Sequence, residues 1–111
     1  PKVAKTGAGA SLLRDLPRAR AVMSAVVRAS SVPVTIKTRV GWDGCVGSAV
    51  EMARVAEEVG VAAIAIHGRT AQQGFTGTAD WRPIGEARAT VSIPVIGNGD
   101  VRTPADAERM F

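Results

Sequence analysis

A short pattern returns at a fixed distance along this chain: Ser31-Val32-Pro33-Val34 recurs as Ser92-Ile93-Pro94-Val95, 61 residues later, with a third apolar run midway between. A period of about thirty residues is the length of one strand plus one helix with short links. The three runs are Val32-Pro33-Val34-Thr35-Ile36, Val61-Ala62-Ala63-Ile64-Ala65-Ile66 and Ile93-Pro94-Val95-Ile96. Runs of this length, rich in Val and Ile and separated by helical stretches, read as parallel strands buried on both faces and joined by right-handed crossovers. Each gives way to polar residues at the same phase: Lys37-Thr38-Arg39, His67-Gly68-Arg69-Thr70 and Gly97-Asn98-Gly99-Asp100. Polar clusters just past the carboxyl ends of parallel strands are where β/α proteins place their chemistry, so the pattern points to an enzyme.

Three strand–helix units account for almost all of the 111 residues. A closed (β/α)8 barrel takes roughly 250, and an open three-stranded parallel sheet would have two bare edges. The expected fold is therefore α/β, with residues 1–111 an internal part of a TIM (β/α)8 barrel.

Charge is unevenly spread. Residues 1–42 carry eight basic groups against Asp15 alone, whereas residues 43–111 carry six basic and nine acidic groups. A basic amino-terminal third suits a polyanionic partner such as RNA, and equally suits a solvated Arg-rich helix face. No apolar run approaches the roughly twenty residues a membrane span needs. The single cysteine, Cys45, cannot form an internal disulfide, which fits a reducing cytoplasm. One His and one Cys cannot build a protein zinc site, so no metal is expected.

Local signals place the helices. Pro1 to Ser11 is small, basic and Gly-rich and reads as a loop. Asp15-Leu16-Pro17 opens a helix, with Asp15 or a neighbour capping and Pro17 in the first turn. Ser48-Ala49-Val50-Glu51 has the form of a capping box, and Gly60 supplies a left-handed stop. Asp80 can cap a short helix holding Trp81 and Ile84. Thr103-Pro104-Ala105-Asp106 starts the last helix with a cap, a proline at the first position and an acid in the first turn.

Three positions stand out as chemistry. An ammonium at Lys37, at the end of a buried strand, must find an anion or an electron-rich acceptor, or else snorkel to a nearby carboxylate. His67, the only histidine, is either a hydrogen-bonded structural residue or a ligand-binding one. Gly68 and the donors of Arg69-Thr70 favour the ligand. Gly97-Asn98-Gly99-Asp100 sets two glycines around an amide ahead of a helix, where backbone N–H groups can hold a phosphate or a ribityl chain, although the same residues make an ordinary turn. Cys45 sits among glycines in a loop with no histidine near it in sequence, and reads as an incidental thiol.

Taken together, Pro33-Val34-Thr35-Ile36-Lys37-Thr38-Arg39-Val40-Gly41-Trp42-Asp43, His67-Gly68-Arg69-Thr70-Ala71-Gln72, Gly77-Thr78-Ala79-Asp80-Trp81 and Ile93-Pro94-Val95-Ile96-Gly97-Asn98-Gly99-Asp100 resemble the tRNA-dihydrouridine synthase family, most nearly its bacterial B-type branch. The resemblance implies an FMN-dependent reductase on a (β/α)8 barrel, cytoplasmic, with NADPH as reductant and tRNA as substrate and partner. It assigns Lys37 to the isoalloxazine, His67 to the flavin or its phosphate tail, and Asn98, Gly99 and Asp100 to the ribityl-phosphate end. Arg39 and Arg69 become RNA-facing groups. The family's proton-donating cysteine falls immediately before the position of Pro1, so no catalytic residue is expected within the chain, and Cys45 does not take its place. The alternatives are another flavin- or phosphate-binding barrel oxidoreductase, or a non-catalytic half-barrel. The isolated chain is expected to be inactive and to self-associate.

Overall fold

The computed structural model describes residues 4–44 and 48–111. Two short 3-10 turns, Ala4–Thr6 and Gly9–Arg14, precede α1 (Leu16–Ala29), β1 (Thr35–Arg39), α2 (Ala49–Val59), β2 (Ala63–His67), α3 (Arg82–Thr90), β3 (Val95–Asn98) and α4 (Pro104–Met110). The strands form one parallel sheet in the order β1-β2-β3. The fold is α/β, three consecutive parallel units of the kind that build a TIM barrel. The amino-terminal stretch read as loop holds 3-10 turns, and the guanidinium of Arg14 lies 3.8 Å over the ring of Trp42. Pro1–Val3 and Cys45 lie outside the described residues.

The helices begin and end where short-range chemistry dictates. The Asp15 carboxylate accepts from the Arg18 N–H at 3.2 Å, and the Ser48 hydroxyl accepts from Val50 and Glu51. Gly60 takes the left-handed conformation at φ 96°. Thr103 and Asp106 form a reciprocal capping box at the start of α4. Asp80 caps α3 from one residue further out than the usual position, accepting from the Arg82 N–H at 3.0 Å and pairing with the Arg82 guanidinium. Glu57 stands in the last turn of α2, where the helix dipole disfavours an acid. It is kept there by the Ser92 and Ile93 N–H groups, 2.6 and 3.2 Å from its carboxylate, which it holds at the entry to β3.

β1 starts three residues, and β3 two residues, after its apolar run begins. Pro33 and Pro94 have no N–H to give a ladder and so stand at the entrances. At the other end, the Val40 N–H donates to the His67 carbonyl and carries the pairing past the polar residues. Lys37, Thr38 and Arg39 are thus strand residues, and so are Gly97 and Asn98.

One face of the sheet carries the core. Ile64 and Ile66 are fully buried there against Met52, Ala53, Val55 and Ala56 of α2, with Met23 of α1 and Ile84 and Ala87 of α3 in the same cluster. The second face is open: Lys37 is exposed, and Ile96 is 56% exposed. Burial on both faces, expected from the apolar runs, is thus met on the helix side alone. Among the described residues no helix is long and apolar enough to cross a membrane.

β2 leaves the sheet through a tight turn at Gly68. A Cβ at this position would come within 2.8 Å of the Asp80 carbonyl oxygen and 2.9 Å of the Ala79 Cβ. The nearest atoms belong to backbone, or lie against it, and cannot swing away. Gly68→Ala should therefore destabilise the protein by about 1–3 kcal/mol, the usual cost of overpacking. Urea unfolding measures it, and an unchanged midpoint would show that the turn can relax.

Candidate active site

Parallel pairing sets three side chains in one row. Arg39 pairs with His67, and His67 with Asn98, at the carboxyl ends of β1, β2 and β3. Residues that pair across a sheet point to the same face, so the row lies on the open side. One step back, Lys37 aligns with Ala65 and Ile96 on that face. Lys37, His67 and Asn98 therefore share one end of the sheet, as the strand-end pattern predicts. Among the described residues Lys37 has no ion-pair partner, so the snorkelling lysine paired to a carboxylate is not what forms. A cleft of about 480 Å3 runs along the β1 edge, bordered by Leu13, Met23, Met52, Lys37, Arg39 and His67.

Arg69 is buried, only 6% exposed. Desolvating a guanidinium is costly unless its donors are matched, and here they are. Nε donates to the Thr76 carbonyl at 3.1 Å, and Nη2 donates to the Gly77 carbonyl at 2.9 Å. Nη2 also stands 2.9 Å from Asp100 Oδ1. The other oxygen of Asp100 accepts from the Ala79 N–H at 2.7 Å. That N–H, followed by Arg69, keeps the Asp100 carboxyl below the usual carboxylate range. The Trp81 indole N–H adds a bond to the Gly99 carbonyl at 2.8 Å, and the Gly68 N–H one to the Asn98 carbonyl at 2.9 Å. The loops after β2 and β3 are thereby fastened to each other.

Asp100 reaches Arg69 from a left-handed backbone, φ 57°, a conformation that Asp tolerates better than most residues. Gly99 before it has φ 112°, and a Cβ there would stand 3.0 Å from both His67 Nε2 and Ala79 Cβ. Only glycine lets the chain pass so close to the imidazole.

The imidazole is surrounded by cations. His67 Nε2 lies 3.4 Å from Arg69 Nη1. Burial, and then the charges of Arg39, Arg69 and Lys37, push its pKa below 6.5, while the hydrogen bond the ring donates to the Asn98 side chain opposes them. On balance these influences favour the neutral ring. A guanidinium can only donate, so Nε2 accepts and the ring proton belongs on Nδ1. A neutral donor ringed by three positive side chains is suited to an anionic or electron-rich ligand.

Arg39 is half-buried and turned toward the loop after β2, donating through Nη1 to the Thr70 and Gly74 carbonyls at 3.1 and 2.6 Å. Both arginines read from sequence as RNA-facing thus anchor that loop. The sequence pattern does not mark Trp81 and Ala79 as parts of the site. Their contribution runs through an indole N–H and a main-chain N–H, and the Ala79-Asp80-Trp81 motif is its only trace in the sequence. Among the described residues no group of three or more His, Cys, Asp or Glu side chains could hold a metal ion.

A family model described as Dihydrouridine synthase (Dus) matches residues 1–111. The tRNA-dihydrouridine synthase B of Xanthomonas campestris pv. campestris is 45% identical over 110 residues, covering 99% of this chain and 33% of that protein. A probable tRNA-dihydrouridine synthase of Rhodobacter capsulatus is 50% identical over 101 residues, 91% of this chain and 31% of that protein. The tRNA-dihydrouridine synthase B of Pseudomonas aeruginosa is 43% identical over 110 residues, with 99% and 33% covered. The chain spans about a third of the length of the curated relatives it matches. With a family model matching from its first residue to its last, the chain belongs to the dihydrouridine synthase family.

Proposed function

We propose that these residues form one wall of the flavin site in a (β/α)8-barrel tRNA-dihydrouridine synthase that reduces uridine in cytoplasmic tRNA. The observation that carries the reading is the row Arg39–His67–Asn98 with Lys37 beside it, all on the open face at the carboxyl ends of the strands. The residues fit FMN: a free ammonium at Lys37 and, two residues further along the same face, an imidazole at His67 set among cations. Bound FMN supplies hydride, drawn from NADPH, for the carbon–carbon double bond of uridine.

The chain's own residues bind and orient. Lys37 would set a positive charge against the isoalloxazine and so favour negative charge there. His67 presents a neutral ring to the flavin or its phosphate tail. Asn98 and Gly99 line the ribityl-phosphate end, where Asp100 acts through its backbone and by holding Arg69. Arg39 and Arg69 serve RNA through the loop they anchor; Arg69, being buried, does so without facing the RNA itself. The proton donor is the cysteine that the family pattern sets just before Pro1, not Cys45.

In the full-length protein Lys37→Ala should lower flavin content or slow flavin reduction at least tenfold, a loss of about 1.4 kcal/mol of stabilisation. Cys45→Ser should leave tRNA reduction nearly unchanged. Stopped-flow flavin bleaching and dihydrouridine assay decide it, and a dead Cys45→Ser beside a normal Lys37→Ala would place the site elsewhere.

The depressed His67 pKa has a stability consequence of definite sign. On acidification the unfolded chain takes up this proton near pH 6.5, and the folded protein only at lower pH. The contribution is complete above pH 6.5 and is lost as the pH falls through the folded value. Wild type should lose stability more steeply than His67→Gln over that window in denaturant titrations. Parallel profiles would remove the linkage.

The 111-residue chain expressed alone exposes the open sheet face and the edges of β1 and β3, so it should self-associate and retain FMN weakly. Size-exclusion chromatography and the flavin spectrum test this. A monomer with stoichiometric flavin would show a self-sufficient binding domain instead.

A further inference from the structure

Phe75 is 83% exposed at the tip of the loop between β2 and α3, on the carboxyl side of the sheet. An aromatic in water is ordinarily carried by a yielding loop, yet this loop is tightly tied. Arg39 holds the Thr70 and Gly74 carbonyls, and Arg69 holds those of Thr76 and Gly77. The Thr76 hydroxyl donates to the Gln73 carbonyl at 2.7 Å, and the Thr70 N–H donates to Gln73 Oε1 at 2.9 Å. The Arg39 guanidinium carbon sits 5.5 Å from the centre of the Phe75 ring, a cation–π contact, while most of the ring surface remains open. Arg39 in turn is the β1 member of the row that ends at Asn98.

From this arrangement we propose that Phe75 is a stacking platform for an unpaired RNA base next to the one entering the site, with Arg39 behind the ring. The proposal rests on the tRNA-reductase reading. A rigid, solvated aromatic backed by a guanidinium has the chemistry that binds single-stranded bases, through a π-face for the base and positive charge for the neighbouring phosphate. The ring adds affinity without reading the identity of the base, because every base offers a face. Phe75 itself carries no charge and so neutralises no phosphate.

The test uses the full-length protein and tRNA from cells lacking dihydrouridine. Phe75→Ala should weaken tRNA binding and raise KM roughly tenfold, the loss expected for one stacked base. Flavin content, kcat at saturating tRNA and the slope of log Kd against log salt should stay unchanged, since no phosphate contact is lost. Phe75→Trp should restore binding, whereas Phe75→Leu, apolar but without a π-face, should not. Equal affinity for wild type and Phe75→Ala, or full rescue by Phe75→Leu, overturns the proposal. A wild-type protein that reduces no tRNA uridine overturns the enzymatic reading instead.

Discussion

The contact between the buried Arg69 guanidinium and Asp100 fastens the loop after β2 to the turn after β3. Both loops leave the same end of a parallel sheet, and nothing in strand pairing alone would join them. With Asp100 drawn in, Gly99 passes directly over the imidazole of His67 and the Trp81 indole closes on the Gly99 carbonyl. Such a pair adds little net stability, because desolvation offsets most of its attraction. What it gives is position: the loop backbone, the histidine ring and the cleft edge become a single rigid piece.

The same guanidinium has an electrostatic effect on His67. Arg39, Arg69 and Lys37 all oppose protonation of the ring, and burial acts in the same direction. The histidine therefore stays a neutral hydrogen-bonding group in a region of positive potential. Its charge-state preference comes from two neighbours on β1 and one in the loop after β2, with Asn98 of β3 opposing them, so the site is a property of the sheet end as a whole.

Much of this was legible in the sequence, because it follows from local rules. The repeated Pro-Val strands, the caps at Asp15, Ser48 and Thr103, and the left-handed stop at Gly60 all depend on residues within a few positions of one another. The end of the sheet where Lys37, His67 and Asn98 gather followed from strands that run the same way. What could not be read was tertiary. The partners of Arg69 include Asp100, 31 residues on, so an exposed and a buried arginine look the same in a string of letters. The open second face escaped for a related reason: an apolar run records what a strand is suited to, not which neighbours cover it.

The register of β2 against β3 limits how the chain can change in length. His67 and Asn98 share a face because their separation matches the pairing of the two strands. Adding one residue between Pro94 and Asn98 would turn the amide toward α3 and α4 and present Gly97 to the cleft in its place. Gly97 already faces Met110 and Ile84, where no larger residue fits without movement. Insertions and deletions are thus confined to the helices' outer turns and the links at the amino ends of the strands. The stretches from Thr35 to Arg39, Ala63 to His67 and Val95 to Asp100 must keep their length even where their letters vary.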